Sequence, residues 1–253
     1  ITDRSFDIEI KDLTFTYPGT IAPVLKNINI TIPSGSTLGI IGKTGCGKTT
    51  LASLLLRLYP IGEGHVFLDG IDINKVSLEV LREKIGFVPQ ENFLFSTTIE
   101  QNIRFYQEGI SEEDVENAAK MSGVYDNILE FPEGFNTVVG ERGVTLSGGQ
   151  RQRVSIARAL VKNPSILILY YSHAAVDTET ESEILGNIKT ILKNRTGIII
   201  SHRVSTVMHM DNIILMEDGA IVEQGNHEEL MKLGGAYYRL YMSQTENSRE
   251  GMR

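Results

Sequence analysis

The chain has 253 residues, 41% of them apolar, which is enough to bury a sizeable core. No run approaches the roughly 20 apolar residues that a membrane span needs, and no signal peptide is visible. A single cysteine, Cys46, excludes an internal disulfide and fits a reducing compartment, and a net charge of −8 gives no support to a nucleic-acid role.

In chain order, residues 6–17 and 25–32 alternate apolar and polar, with Ile28, Ile30 and Ile32 in phase, as half-buried strands do. Residues 37–42 read as a short buried strand, residues 51–58 as a helix and residues 64–70 as a further strand. The first, second and last of these strands are expected to form an antiparallel layer. The runs 85–88, 166–170 and 196–201 suit a buried parallel sheet. Between Gln90 and Leu146 the texture is helical, with a capped start at Ser111-Glu-Glu-Asp114 and a helix to Met121. A polar helix is expected over 178–194 and a hairpin over 211–225, turning at Asp218-Gly219. A last helix starts at Asn226-His-Glu-Glu229, and a polar tail is expected to fray from Ser243 onward. There is no internal repeat or low-complexity linker.

Between the strand at 37–42 and the following helix stands Gly42-Lys-Thr44-Gly45-Cys46-Gly47-Lys48-Thr49-Thr50. This is Gly-x4-Gly-Lys-Ser/Thr in the strand–loop–helix setting that the motif requires. The glycines let backbone N–H groups turn toward phosphate oxygens, and the helix N-terminus adds positive dipole character. Lys48 would reach the β- and γ-phosphates and the Thr49 hydroxyl would coordinate Mg²⁺. Cys46 reads as a small filler whose alkylation would block the loop. A second anion site is expected at Leu146-Ser147-Gly148-Gly149-Gln150, which opens the helix over 154–162. One nucleotide on one chain has no use for two such sites. Two chains that grip the same γ-phosphate do.

With these motifs in this order, residues 6–243 resemble the nucleotide-binding domain of ATP-binding-cassette (ABC) transporters. The resemblance implies an α/β fold: a P-loop NTPase (RecA-like) core with an antiparallel β layer and a helical subdomain. It implies one nucleotide-binding domain over 1–253, with a core lobe from 1–89 and 163–243, a helical subdomain over 90–162 and a tail at 244–253. Tyr17 matches the aromatic that stacks on adenine, and Val24 falls where an apolar residue flanks the base. Gln90, in Phe87-Val-Pro-Gln90, matches the glutamine used for Mg²⁺ and the attacking water. Asp177 matches the aspartate of the loop that crosses the dimer interface, and His202 the histidine that contacts the γ-phosphate. Gly140-Glu141-Arg142-Gly143 resembles the exporter pattern, in which this segment touches the membrane domain. The implied cofactors are ATP and Mg²⁺. The implied partners are a second nucleotide-binding domain, in a homo- or heterodimer, and transmembrane domains, with the cassette on the cytoplasmic face of a membrane and no nucleic acid. A start at Ile1 rather than Met suggests a piece of a longer exporter subunit or a processed chain.

The departure from the family lies at the end of Ile166-Leu-Ile-Leu-Tyr170-Tyr171. At the position of Tyr170 the family carries an aspartate that holds Mg²⁺, and at that of Tyr171 a glutamate that polarises the attacking water. A phenol with a pKa of about 10 supplies neither negative charge nor a useful base near neutral pH. ATP binding is therefore expected to survive and hydrolysis to be poor. Three explanations stand: a degenerate half of a heterodimeric exporter, a local alteration over 170–174 of an otherwise active site, and a new role as a regulatory ATP sensor. His173 beside the tyrosines is poor evidence of a metal cluster. An ABC ATPase of DNA repair is disfavoured, because about 100 residues separate Gly47 from Ser147 and leave no room for a coiled-coil insertion. A ribosome-associated one would normally join two cassettes in one chain.

Overall fold

The structure is a computed structural model that describes residues 6–105, 107–140, 143–171, 178–193 and 195–250. Strands β1 (Ile8–Phe15) and β2 (Leu25–Ile32) pair antiparallel, with Ile8 opposite Ile32 and Ile10 opposite Ile30. Their alternation buries Ile8, Ile10, Leu13 and Phe15 against Ile28, Ile30 and Ile32. The register shifts between Ile10 and Leu13, where Asp12 has φ +44°, and this irregularity returns Leu13 to the buried face. β3 (Thr37–Gly42) is apolar and buried and leads into α1 (Lys48–Leu55). The strand expected over 64–70 is shorter, because the chain turns at Asp69-Gly70, both with positive φ, between β4 (Val66–Leu68) and β5 (Ile71–Asp72). These complete a four-stranded antiparallel sheet in the order β2-β1-β4-β5. Helix α2 (Leu78–Lys84), capped by the Ser77 hydroxyl on the Val80 N–H, passes directly into β6 (Ile85–Val88).

The helical segment follows as α3 (Ile99–Arg104), α4 (Glu112–Met121), α5 (Tyr125–Leu129) and α6 (Gly148–Leu160). Ser111 and Asp114 cap α4 reciprocally, as the sequence implies. Helix α6 packs on α3 and α4 at one side and on β6 at the other. It therefore ties this helical layer to the sheet.

The remainder is β7 (Ile166–Tyr171), α7 (Thr178–Leu192), β8 (Thr196–Ser201), a short α8 (Val204–Val207), the hairpin β9 (Asn212–Glu217) and β10 (Ala220–Gly225), α9 (His227–Leu233) and α10 (Ala236–Glu250). The second sheet runs β10-β9-β3-β8-β7-β6, parallel except for the β9–β10 hairpin. Asp218 and Gly219 turn that hairpin with φ of +46° and +84°, the pattern that suits right-twisted strands. Two expectations at the C-terminal end fail. The single last helix is two helices, broken where Gly234 takes φ +64°. The polar stretch from Ser243, expected to fray, continues α10 to Glu250, because Tyr237, Leu240 and Tyr241 anchor one face of it to the core.

The parallel sheet separates two apolar clusters. Ile166, Ile168 and Tyr170 face the cluster shared with the antiparallel sheet, and Leu167, Leu169 and Tyr171 face the one shared with α3–α7. This is the period-two alternation of a strand buried on both faces. Among the described residues no helix is long and apolar enough to cross a membrane.

Candidate functional site

Parallel strands end together, and ligands of open α/β sheets bind at that carboxyl edge. Here Ile41 is in register with Ser201, and Ser201 with Tyr171. The loop after β3, the end of β7 and the segment after β8 therefore meet. Gln90 lies just beyond the end of neighbouring β6 and is exposed.

The loop from Gly42 to Gly47 is held from within. Lys48, 3% exposed, donates from Nζ to the carbonyls of Gly42 and Lys43 at 2.7 and 2.8 Å and lies 3.6 Å from Cys46 Sγ. Burial lowers its pKa, opposed by the adjacent thiol. Gly47 opens α1 with φ +103°, and a Cβ there would stand 2.7 Å from Leu25 Cδ2. Both the backbone angle and the packing require glycine. Lys43, Thr44, Gly45 and Thr49 are exposed, Thr50 is buried, and the first turn of α1 carries no acidic side chain. A cavity of about 590 Å³ opens beside the loop, with Gly42, Lys43, Thr44, His202 and Arg239 in its wall.

Tyr170 reaches this loop. Its hydroxyl lies 3.5 Å from His202 Nε2, and a hydrogen bond from Thr49 also reaches it. Burial raises its pKa, so the phenol stays protonated above its ordinary range, with the Thr49 bond opposing. His202 Nδ1 lies 3.2 Å from the Gly42 carbonyl. A carbonyl only accepts, so Nδ1 carries the proton, and in the neutral ring Nε2 is the acceptor toward Tyr170. Burial and the Lys48 charge lower the His202 pKa, which favours that neutral ring. Tyr171 points the other way and is 1% exposed within the helical-side cluster.

Tyr17 packs edge-on against Phe15 and Tyr59, and its hydroxyl lies 2.8 Å from Thr50 Oγ1 over the start of α1. Val24 is half-buried, and its N–H donates to the Phe15 carbonyl. At the start of α6, the Ser147 hydroxyl accepts from the Gln150 N–H and Gln150 Oε1 accepts from the Ser147 N–H. Gly148 and Gly149 form the first turn. This helix belongs to the helical-side cluster and the loop to the other, so the two anion-binding candidates stand on separate layers. Glu141, Arg142, His173 and Asp177 lie outside the described residues.

The sequence profile of the ABC transporter family matches residues 25–169. The chain belongs to that family. It is 45% identical over 246 residues to the ATP-dependent lipid A-core flippase of Salmonella typhimurium, covering 96% of this chain and 42% of that protein. The flippase of the same description from Escherichia coli K12 is 44% identical over 239 residues, covering 94% and 41%. Among solved structures, a bacterial Atm1-family ABC exporter with ATP bound superposes with a TM-score of 0.89 at 38% identity, covering 97% of this chain and 43% of that one. The chain thus spans about two fifths of the length of these relatives, which are described as flippases and as an ABC exporter. The α/β core with its antiparallel sheet and helical layer is the ABC ATPase fold that the motifs implied.

The residues of this ABC domain fit the two expected cofactors unequally. A polyphosphate meets glycine-shaped backbone, Lys48 and an uncapped helix start, all of them donors. Of the described residues read as metal ligands, Mg²⁺ would find the neutral oxygens of Thr49 and Gln90, whereas this ion is ordinarily held by one or two carboxylates besides phosphate. Among the described residues no group of three or more His, Cys, Asp or Glu is placed to hold a metal. The donor set therefore suits ATP and suits Mg²⁺ poorly. The sequence reading missed Gln244, whose amide bonds the backbone on both sides of Arg203. The spacing Tyr237, Leu240, Tyr241, Gln244 on one helical face was the available signal.

Proposed function

We propose that this chain is the ATP-binding cassette of an ABC exporter, able to bind ATP at its own loop and hydrolysing it poorly there. The observation that carries this reading is Tyr170. A neutral phenol stands between Thr49 and His202, where hydrolysis needs negative charge to place the metal. Phosphoryl transfer depends almost wholly on positioning and electrostatics, so this loss falls on the chemistry and spares the binding contacts. Lys48, Gly42, Thr44, Gly45, Cys46, Gly47, Thr49 and Thr50 would cradle the phosphates, with Tyr17 and Val24 at the base. Gln90 and His202 would face the γ-phosphate. In a head-to-tail dimer, Ser147, Gly148, Gly149 and Gln150 would meet the nucleotide held by a second cassette, with Asp177 at the interface. The chain would then serve a working partner site while its own site acts as a binding element. Transmembrane domains would be driven by that closure, with the cassette on the cytoplasmic side. The relatives' lipid A-core flippase description makes a lipid-linked substrate the first class to try.

The test is equilibrium binding of ATP to the purified chain, with and without Mg²⁺, beside Lys48→Ala, together with steady-state turnover. The expected result is binding that Lys48→Ala abolishes, little dependence on Mg²⁺, and turnover near background. Ordinary turnover, or equal binding by Lys48→Ala, would refute the reading.

A further inference from the structure

We infer that Gln244, on the C-terminal helix, is a positioning residue that sets the place of His202 at the phosphate edge. The inference rests on the reading of His202 as the γ-phosphate contact. After β8 ends at Ser201, the chain crosses His202 and Arg203 before the four-residue α8 begins. Arg203, at the cap position of α8, makes no side-chain cap bond, so the first N–H groups of that helix need another acceptor. Gln244 supplies it. Its Oε1 accepts from the Val204 N–H at 2.8 Å, and its Nε2 donates to the His202 carbonyl at 2.7 Å. The partners fix the amide orientation, since an N–H requires the oxygen and a carbonyl requires the nitrogen. Among side chains of this length only a primary amide meets both demands. Glutamate accepts and does not donate, and lysine donates and does not accept.

The amide is carried on a fixed support. The Glu223 carboxylate accepts from the Ala236 and Tyr237 N–H groups at the N-terminal end of α10. It lies so close to Gly235 that any Cβ there would overlap it. Tyr237 is fully buried, and its hydroxyl bonds His227 Nδ1 at 2.8 Å. Gln244 lies two turns further along the same helix. On the other side of the segment, the Ser201 hydroxyl accepts from the Arg203 N–H, and the His202 ring bonds the Gly42 carbonyl. The imidazole is therefore aimed from two directions: its ring by the phosphate loop, its backbone by α10. The C-terminal helix α10 thereby sets the histidine that would read the third phosphate.

The experiment measures ATP and ADP affinity for the wild type, Gln244→Met and Gln244→Glu, with the imidazole ¹⁵N signals of His202 recorded without nucleotide. Methionine keeps length and bulk and loses both bonds; glutamate keeps the acceptor and loses the donor. The expected result for Gln244→Met is a His202 signal that departs from the hydrogen-bonded Nδ1–H pattern. ATP should weaken by about tenfold, the scale of one to two lost hydrogen bonds, while ADP stays within roughly twofold. Gln244→Glu should move in the same direction, and it carries the comparison alone should Gln244→Met fail to fold. Equal weakening of ATP and ADP, or an unchanged His202 signal with an unchanged ATP-to-ADP ratio, overturns the inference. If the wild type binds no ATP, the proposed function fails, and the His202 signal by itself decides whether Gln244 positions the ring.

Discussion

The sharpest prediction concerns the double substitution Tyr170→Asp, Tyr171→Glu, which should make the protein faster and less stable at once. Tyr170 and Tyr171 are 3% and 1% exposed, so each ring fills a closed space. Truncating a buried aromatic to alanine costs about 3–5 kcal/mol, and a carboxylate side chain refills only part of the lost volume. With two such sites a net loss of about 5 kcal/mol is expected, or roughly 10–20 °C in melting temperature for a domain of this size. Against this, the introduced aspartate would stand beside Thr49 with a negative charge. The introduced glutamate, too costly to leave ionised in the apolar cluster where Tyr171 lies, would turn to the strand's end and offer a base that the phenol does not. A positioned base alone contributes about 10²–10⁴ in rate. Steady-state phosphate release should therefore rise at least about a hundredfold, and the gain should require Mg²⁺. The assay is phosphate release with saturating ATP, beside calorimetric melting of both proteins. A folded, ATP-binding double variant that turns over no faster than the wild type would refute the argument that the tyrosines are the lesion. Raising pH offers no substitute for the mutation. Burial lifts the Tyr170 pKa above its ordinary value, so ionisation of the phenol should add nothing to wild-type turnover through the ordinary tyrosine range.

Two further outcomes follow from the same edge. Gly47→Ala forces a Cβ against Leu25 at a backbone angle that L-residues rarely adopt, so it should lower stability by about 1–3 kcal/mol and weaken ATP binding by at least tenfold, read by denaturant unfolding and equilibrium titration. His202 has a lowered pKa in the fold, so the unfolded chain binds the extra proton first as pH falls. Stability should therefore decline as pH drops below about 6.5 toward the folded value, and His202→Asn should flatten that part of the profile in urea unfolding at a series of pH values.

Much of this was legible in the residues because the signals were local. The Gly42–Thr50 loop, the capped starts at Ser111, Ser147 and Asn226, and the Asp218-Gly219 turn each depend on backbone demands met within a few residues. The parallel strands were legible from apolar runs, since both of their faces are buried. What composition hid was long-range. The stretch from Ser243 is polar and invited a frayed end, yet Gln244 finds its partners about forty residues away, on the segment after β8. Likewise, nothing near Arg158 announces that its guanidinium bonds the carbonyls of Phe93 and Asn102 and lies over the Phe105 ring. Polar residues that serve tertiary structure look like surface until the partner is in place.

The same contrast explains how the edge can carry two phenols where the family pattern implies an acidic pair and still keep its fold. Tyrosine is a strong strand former, and the alternation of β7 assigns one ring to each apolar cluster. Tyr170 and Tyr171 stay in register with Ile200 and Ser201, so the sheet still brings the ends of β3, β7 and β8 to one edge. The strand's contribution to folding is hydrophobic and geometric, whereas hydrolysis, on the proposed reading, asks for two charges at its last two positions. Burial rewards the first and is indifferent or hostile to the second, because a buried carboxylate needs a partner that ATP and its metal supply only when bound. A site of this kind is therefore least constrained by folding at the residues that matter most for turnover. That is why the loop, the capped helix and the histidine can remain arranged around a strand end that carries two phenols.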